Sequence, residues 1–158
     1  MPTRAEQTLI EICFGGIAMA RKQPELALSH YLQAAEISPD YPSVWYIIGH
    51  LQQTLKQYEN AEESLKRAIT ADDDLRAYAE LASVYLLRQQ LSKAHQILEQ
   101  GIHIHPKSAH LRALLSSVLF EMGEHRRAQT ILEEAERLNP ESEMVKVVRQ
   151  AIKKSKKR

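Results

Sequence analysis

The sequence predicts an all-α chain, built as a solenoid of stacked antiparallel helix pairs. Three observations predict it. A small–large–small code recurs along the chain at Ala27-x3-Tyr31-x2-Ala34, Ala61-x3-Leu65-x2-Ala68, Ala94-x3-Leu98-x2-Gly101 and Ala128-x3-Leu132-x2-Ala135. Its leading alanines fall 34, 33 and 34 residues apart. Pro39, Pro106 and Pro140 close three of the four units at the same offset, and Asp73 stands there in the second. Fixed self-similarity at this period is the mark of a repeat architecture. Glycine (5) and proline (6) are too scarce for the turns of an all-β fold, while 44% apolar and 26% charged residues are ordinary for a folded chain.

Each unit divides into two helices. In the first half, an aromatic or aliphatic residue precedes a small one: Phe14-Gly15, Trp45-x2-Ile48-Gly49, Tyr78-x2-Leu81-Ala82 and Leu115-Ser116. Residues three and four apart share a helical face. Gly15, Gly49, Ala82 and Ser116 on the first helix and Ala27, Ala61, Ala94 and Ala128 on the second therefore let the two approach closely. Tyr31, Leu65, Leu98 and Leu132 fill the space between one hairpin and the next. A lone hairpin cannot bury such a face, but a stack can. Pro24 suits the first turn of a second helix, Gly123 the end of a first helix, and Asp72–Asp74 the start of the helix at Leu75.

The pattern resembles the tetratricopeptide-repeat (TPR) family, whose unit reads W-x2-L-G-x2-Y…A-x3-F…P. The resemblance implies a right-handed superhelix with repeats at 8–41, 42–74, 75–108 and 109–142 after an extension at 1–7. Glu11 and Arg112 stand at the aromatic place, and Gln52 where tyrosine is usual. A final helix at 143–158 carries Val145, Val148 and Ile152 on one face and cations on the other, which is what a terminal cap requires.

The resemblance further implies a concave groove lined by the first helices and occupied by another protein. Carried over position by position, the lining is Leu9, Ile12 and Met19, then Tyr46, His50 and Gln53, then Arg76, Ala79, Ser83 and Leu86, then His110, Ala113, Ser117 and Phe120. Cys13, Gly16, Ile47, Glu80 and Leu114 join it. The lining is apolar at its N-terminal end. Arg76 is its one cation, so it lacks the basic clamp that some TPR co-chaperones use on a C-terminal carboxylate. An apolar segment or an amphipathic helix fits better. The expected role is a non-catalytic adaptor or scaffold. The alternative is a secretion or assembly chaperone of the kind that holds apolar export cargo in such a groove. Solenoid ends and an apolar groove also invite self-association.

Other classes find little support. No Gly-rich phosphate loop, CxxC, GxSxG or HExxH is present, so neither an enzyme, a small-molecule substrate nor a cofactor is expected. His95, Glu99 and His103 share a helix face but read as a solvated surface rather than metal ligands. The net charge is +1, with Lys153, Lys154, Lys156, Lys157 and Arg158 contributing five cations in the last six residues. That basic tail is the one feature open to nucleic acid or anionic lipid, and the near-neutral groove argues against nucleic acid. A single cysteine fits a reducing, cytoplasmic setting. Glu11 interrupts the apolar stretch Leu9–Ala20 and disfavours a cleaved signal. No apolar run approaches the roughly 18 residues of a membrane span.

Overall fold

The computed structural model describes residues 1–155. Among them lie nine α-helices and no strand: α1 (Arg4–Ala20), α2 (Pro24–Ile37), α3 (Val44–Thr54), α4 (Tyr58–Asp72), α5 (Leu75–Leu87), α6 (Leu91–Ile104), α7 (Ala109–Glu121), α8 (His125–Leu138) and α9 (Glu143–Ser155). The chain forms two compact units, Met1–Glu80 and Leu81–Arg158.

In the first unit α1 pairs with α2, α3 with α4, and α3 packs on α2. The first helix begins at Arg4, ahead of the start at residue 8 that the repeat pattern suggests. A reciprocal cap explains it. The Glu6 amide donates to Thr3 Oγ1 at 3.2 Å, and the Thr3 amide donates to Glu6 Oε2 at 2.6 Å. The Thr3 amide, and after it the Thr3 hydroxyl, bond the charged form and hold the exposed Glu6 carboxyl below its ordinary range.

The small positions are tight. A Cβ added to Gly15 would lie 2.7 Å from the Tyr31 ring, and one added to Gly49 would lie 2.6 Å from Leu65 Cγ. Each large residue thus fills the space that the glycine leaves inside its own hairpin, in addition to the space between hairpins assigned to it from the pattern. The joint between the hairpins is a cluster of Ala18, Ala27, Leu28, Tyr31 and Ala35 with Val44, Ile48 and Leu51, flanked by Ile12, Trp45, Ile47 and Leu55.

In the second unit α7 packs on α6 and α8, and α9 lies against α7 and α8. Val145, Val148 and Ile152 of α9 cluster with Ala109, Ala113, Leu132 and Ala135. Arg149 on its rim donates from Nε to Glu136 Oε1 at 2.6 Å. The amphipathic reading of α9 holds through Ser155; Lys156, Lys157 and Arg158 of the basic tail lie outside the described residues.

The turn inside each hairpin carries one left-handed residue at an equivalent place: Lys22 (φ 57°), Lys56 (φ 60°), Gln89 (φ 58°) and Gly123 (φ 83°). A side chain disfavours this conformation by about 1–2 kcal/mol, while glycine adopts it freely at some cost in unfolded-state entropy. Lys56→Gly is therefore expected to stabilise the chain by roughly 0.5 kcal/mol in urea unfolding.

The aromatic place of the repeat has a polar duty that its motif does not state. Trp45 Nε1–H donates to the Pro39 carbonyl at 2.7 Å, and Arg112 Nη1–H donates to the Pro106 carbonyl at 2.5 Å. Both reach back six residues to the repeat-closing proline. Arg112 therefore replaces the expected aromatic while keeping its hydrogen bond. Where Asp73 takes the proline place, the Tyr78 hydroxyl donates to the Asp73 carboxylate at 3.5 Å.

Candidate functional site

Helix α3 and the first turns of α5, both within Met1–Glu80, gather the densest group of the residues proposed above. The Arg76 guanidinium lies over the Tyr46 ring, 4.3 Å from its centroid. It also donates to Asp74 Oδ2 at 2.6 Å and to Ser43 Oγ at 2.9 Å. The bond to Asp74 raises the Arg76 pKa above its ordinary value, and the Asp74 charge reinforces it. One turn along α3, His50 Nδ1–H donates to Glu80 Oε1 at 2.9 Å. The Tyr46 and His50 rings stack with centroids 6.2 Å apart, inclined by 24°. Burial pushes the Tyr46 hydroxyl pKa up, the Glu80 and Asp74 charges add to the rise, and Arg76 opposes it.

Local structure explains why these groups converge. Tyr46 and His50 are four apart on α3, and Arg76 and Glu80 four apart on α5, so each pair shares a face. Asp72–Asp74 does more than cap one helix. Asp72 Oδ2 accepts from the Ser43 amide at 2.9 Å at the start of α3, and Asp74 Oδ1 accepts from the Arg76 amide at 2.9 Å at the start of α5. The acidic run thus ties both helix starts to one connection. Asp73 between them closes α4 in the left-handed conformation.

The result is a half-exposed surface whose charges are paired within the fold. Arg76 and His50 keep about half of their side-chain surface, whereas Asp74 is nearly covered. Arg76 already has a carboxylate partner in Asp74.

The remaining candidates are placed less uniformly. Leu9 and Met19 are exposed at 47% and 40%, whereas Ile12 packs against the hairpin joint. Gln53 is half-buried and Ala79 is buried. In the second unit Ser83, Leu86, His110 and Ser117 are half-buried, and Phe120 packs beside the α9 cluster with its ring 4.6 Å from that of His125. Ala113 is a correction. It is fully buried, because Val145, Val148 and Ile152 of α9 cover it, and it lines no open surface. Leu114 is also buried. Of the histidine face, His95 is mostly covered rather than solvated, with Nε2 lying 3.4 Å from Glu99 Oε1. Sequence reasoning missed Ser43 and Asp74 as members of the α3–α5 group. The Ser-x2-Tyr and Asp-x-Arg spacings carried the only signal.

Among the described residues, no helix is long and apolar enough to cross a membrane, and no three His, Cys, Asp or Glu side chains are grouped to hold a metal ion.

Comparison with known proteins matches this architecture. The chain is 26% identical over 147 residues to the DnaJ homolog subfamily C member 7 homolog of Schizosaccharomyces pombe, covering 82% of this chain and 31% of that protein. It is 32% identical over 116 residues to the BBSome complex member BBS4 of Mus musculus, covering 73% of this chain and 22% of that one. The chain therefore spans less than a third of either relative. Among solved structures, MamA superposes with a TM-score of 0.76 at 23% identity, covering 86% of this chain and 75% of MamA. The TPR protein YrrB, described as having an unusual peptide-binding site, gives 0.67 at 18% identity, covering 82% and 68%. These likenesses show a TPR α-solenoid fold. The model of the Cilia and flagella-associated protein 70 C-terminal domain matches residues 4–156, so the chain belongs to that TPR family.

Proposed function

We propose that this chain is a non-catalytic adaptor that holds an apolar peptide or an amphipathic helix of another protein on the exposed face of α3 and α5. The observation that carries this reading is the group Tyr46, His50, Arg76 and Glu80. Its side chains are oriented by one another, by Asp74 and by Ser43 before any partner arrives. A surface held in place beforehand loses little freedom on binding, which favours affinity. The Tyr46 and His50 rings offer apolar contact, and the paired charges around them offer hydrogen bonds to a partner backbone. TPR proteins as a class work through protein–protein contact, and the BBS4 relative is named as a member of the BBSome complex.

Affinity capture from native lysate tests the reading, with wild type beside Tyr46→Glu and Tyr46→Glu/His50→Ala. Circular dichroism first establishes that all three are equally helical. A partner held by wild type and reduced at least about tenfold by the folded variants supports the α3–α5 face, a loss of the size expected for a central aromatic contact. A partner held equally by all three refutes it.

A further inference from the structure

The repeat register exposes a second surface, distinct from the α3–α5 face. Positions 34 apart in this chain are structurally equivalent, so Ile10, Phe14 and Ile17 of α1 correspond to Val44, Ile48 and Leu51 of α3. In α3 these residues are exposed by only 1%, 0% and 4%, because they seat on α2. Their counterparts in α7, Leu111, Leu115 and Val118, are equally buried in a helix that packs on α6. In α1 the same three positions stand 45%, 51% and 47% exposed. The stripe therefore has the chemistry of a joint between hairpins, and no helix among the described residues covers it. Phe14 is nonetheless held in place: its ring stacks on His30 at 5.5 Å, and His30 in turn bonds to Glu11 at 2.7 Å.

We propose that this stripe is the contact surface of a two-fold dimer in which α1 packs antiparallel against α1 of a second copy. Two observations select that occupant. First, head-to-tail stacking is closed. The face of α8 that would receive another copy's α1 is already covered, with Leu132 and Ala135 clustered against Val145, Val148 and Ile152 of α9. Second, the stripe is complementary to its own reverse. Reading along one face of α1 gives Glu6, Ile10, Phe14 with neighbouring Cys13, Ile17 and Arg21, at spacings of four, four, three and four. That alternation is the seam of a two-helix coiled contact. Reversed about its midpoint, Ile10 meets Ile17 of the second copy, Phe14 meets Cys13, and Glu6 meets Arg21. A two-fold axis makes each of these contacts twice. All six side chains are exposed. Exposed apolar rows of this kind, flanked by charge, mark association surfaces.

Sedimentation equilibrium of the full chain at micromolar concentrations tests the proposal. Wild type is expected to sediment as a dimer, and Phe14→Glu to weaken it by roughly 30-fold or more, the loss typical of a central aromatic contact. Arg21→Glu is expected to weaken the dimer by bringing it against Glu6 of the second copy. The pair Glu6→Arg/Arg21→Glu, which also takes the Glu6 carboxylate from the α1 cap, is expected to restore association relative to Arg21→Glu at equal helicity by circular dichroism, an outcome that generalised unfolding cannot imitate. Cys13, the single cysteine, is expected to link two copies with a short bismaleimide in wild type and not in Phe14→Glu. A wild type that is monomeric throughout overturns the proposal and leaves the stripe for a helix of a different protein. A dimer indifferent to Phe14→Glu, or a charge swap that fails to restore association, overturns it as well.

Discussion

Val145→Asp is expected to destabilise the chain by about 3–5 kcal/mol, the scale of an unpaired charge placed in a packed interior. Val145 is wholly buried and sits at the centre of the cluster that joins α9 to Ala113, Leu132 and Ala135. Arg149, one turn further along α9, is already bonded to Glu136, and Lys153 and Lys154 lie two turns away. Urea unfolding followed by circular dichroism measures the loss. Val147→Asp, on the exposed side of the same helix, is the control and should cost little. If the two substitutions cost the same, α9 is not held by the apolar face described above. The expected loss also bears on the neighbours of α9, since freeing it would open the α8 face that now excludes head-to-tail stacking.

A second large effect concerns two glycines that differ in what lies above them. Gly49→Ala is expected to lower stability by about 1–3 kcal/mol, the range for overpacking a close-fitted interior. The new methyl group would lie 2.6 Å from Leu65 Cγ and 2.8 Å from Leu65 Cδ2, and Leu65 is completely buried. Helix propensity returns about 1 kcal/mol when alanine replaces glycine, which the clash more than offsets. At Gly16 the nearest atom is the Tyr31 hydroxyl at 3.9 Å, so the propensity gain stands alone and Gly16→Ala should stabilise by about 0.5–1 kcal/mol. Thermal or urea unfolding of both variants gives opposite signs if the close approach at Gly49 is as tight as described. Two losses, or two gains, would contradict it.

The fold was readable because its code is short-range and repeated. Ala27, Ala61, Ala94 and Ala128 are all fully buried, as are Leu65 and Leu98, and Tyr31 and Leu132 nearly so. Each identity follows from one contact that recurs at a fixed interval. What the pattern left unread came from the ends, where repetition stops. The Thr3–Glu6 cap starts α1 four residues early, because capping depends on two polar side chains outside the repeat register. Ala113 was assigned to an open lining because family geometry places its position there. In this chain α9 lies over that position and closes it.

The candidate site was legible only as a list. Tyr46, His50 and Arg76 could be placed on helix faces by spacing alone. That Arg76 would turn to Asp74 and Ser43, leaving Glu80 to His50, depends on side-chain reach between two helices 30 residues apart in sequence, which spacing along one helix does not encode. Arg76 and Glu80 lie one turn apart on α5, yet each bonds to a different partner.

The reach of Trp45 and Arg112 back to the carbonyls of Pro39 and Pro106 changes how likeness should be judged at that place in the repeat. Similarity scales group tryptophan with phenylalanine and set arginine far away. For this bond the ordering inverts: phenylalanine supplies a ring and no proton, while arginine supplies the proton and no ring. A repeat detected by aromatic residues alone would pass over the fourth unit, although it answers the closing carbonyl of the unit before it from the same position as the second unit does. At these two positions the donated proton is the same and the chemical family of its donor differs.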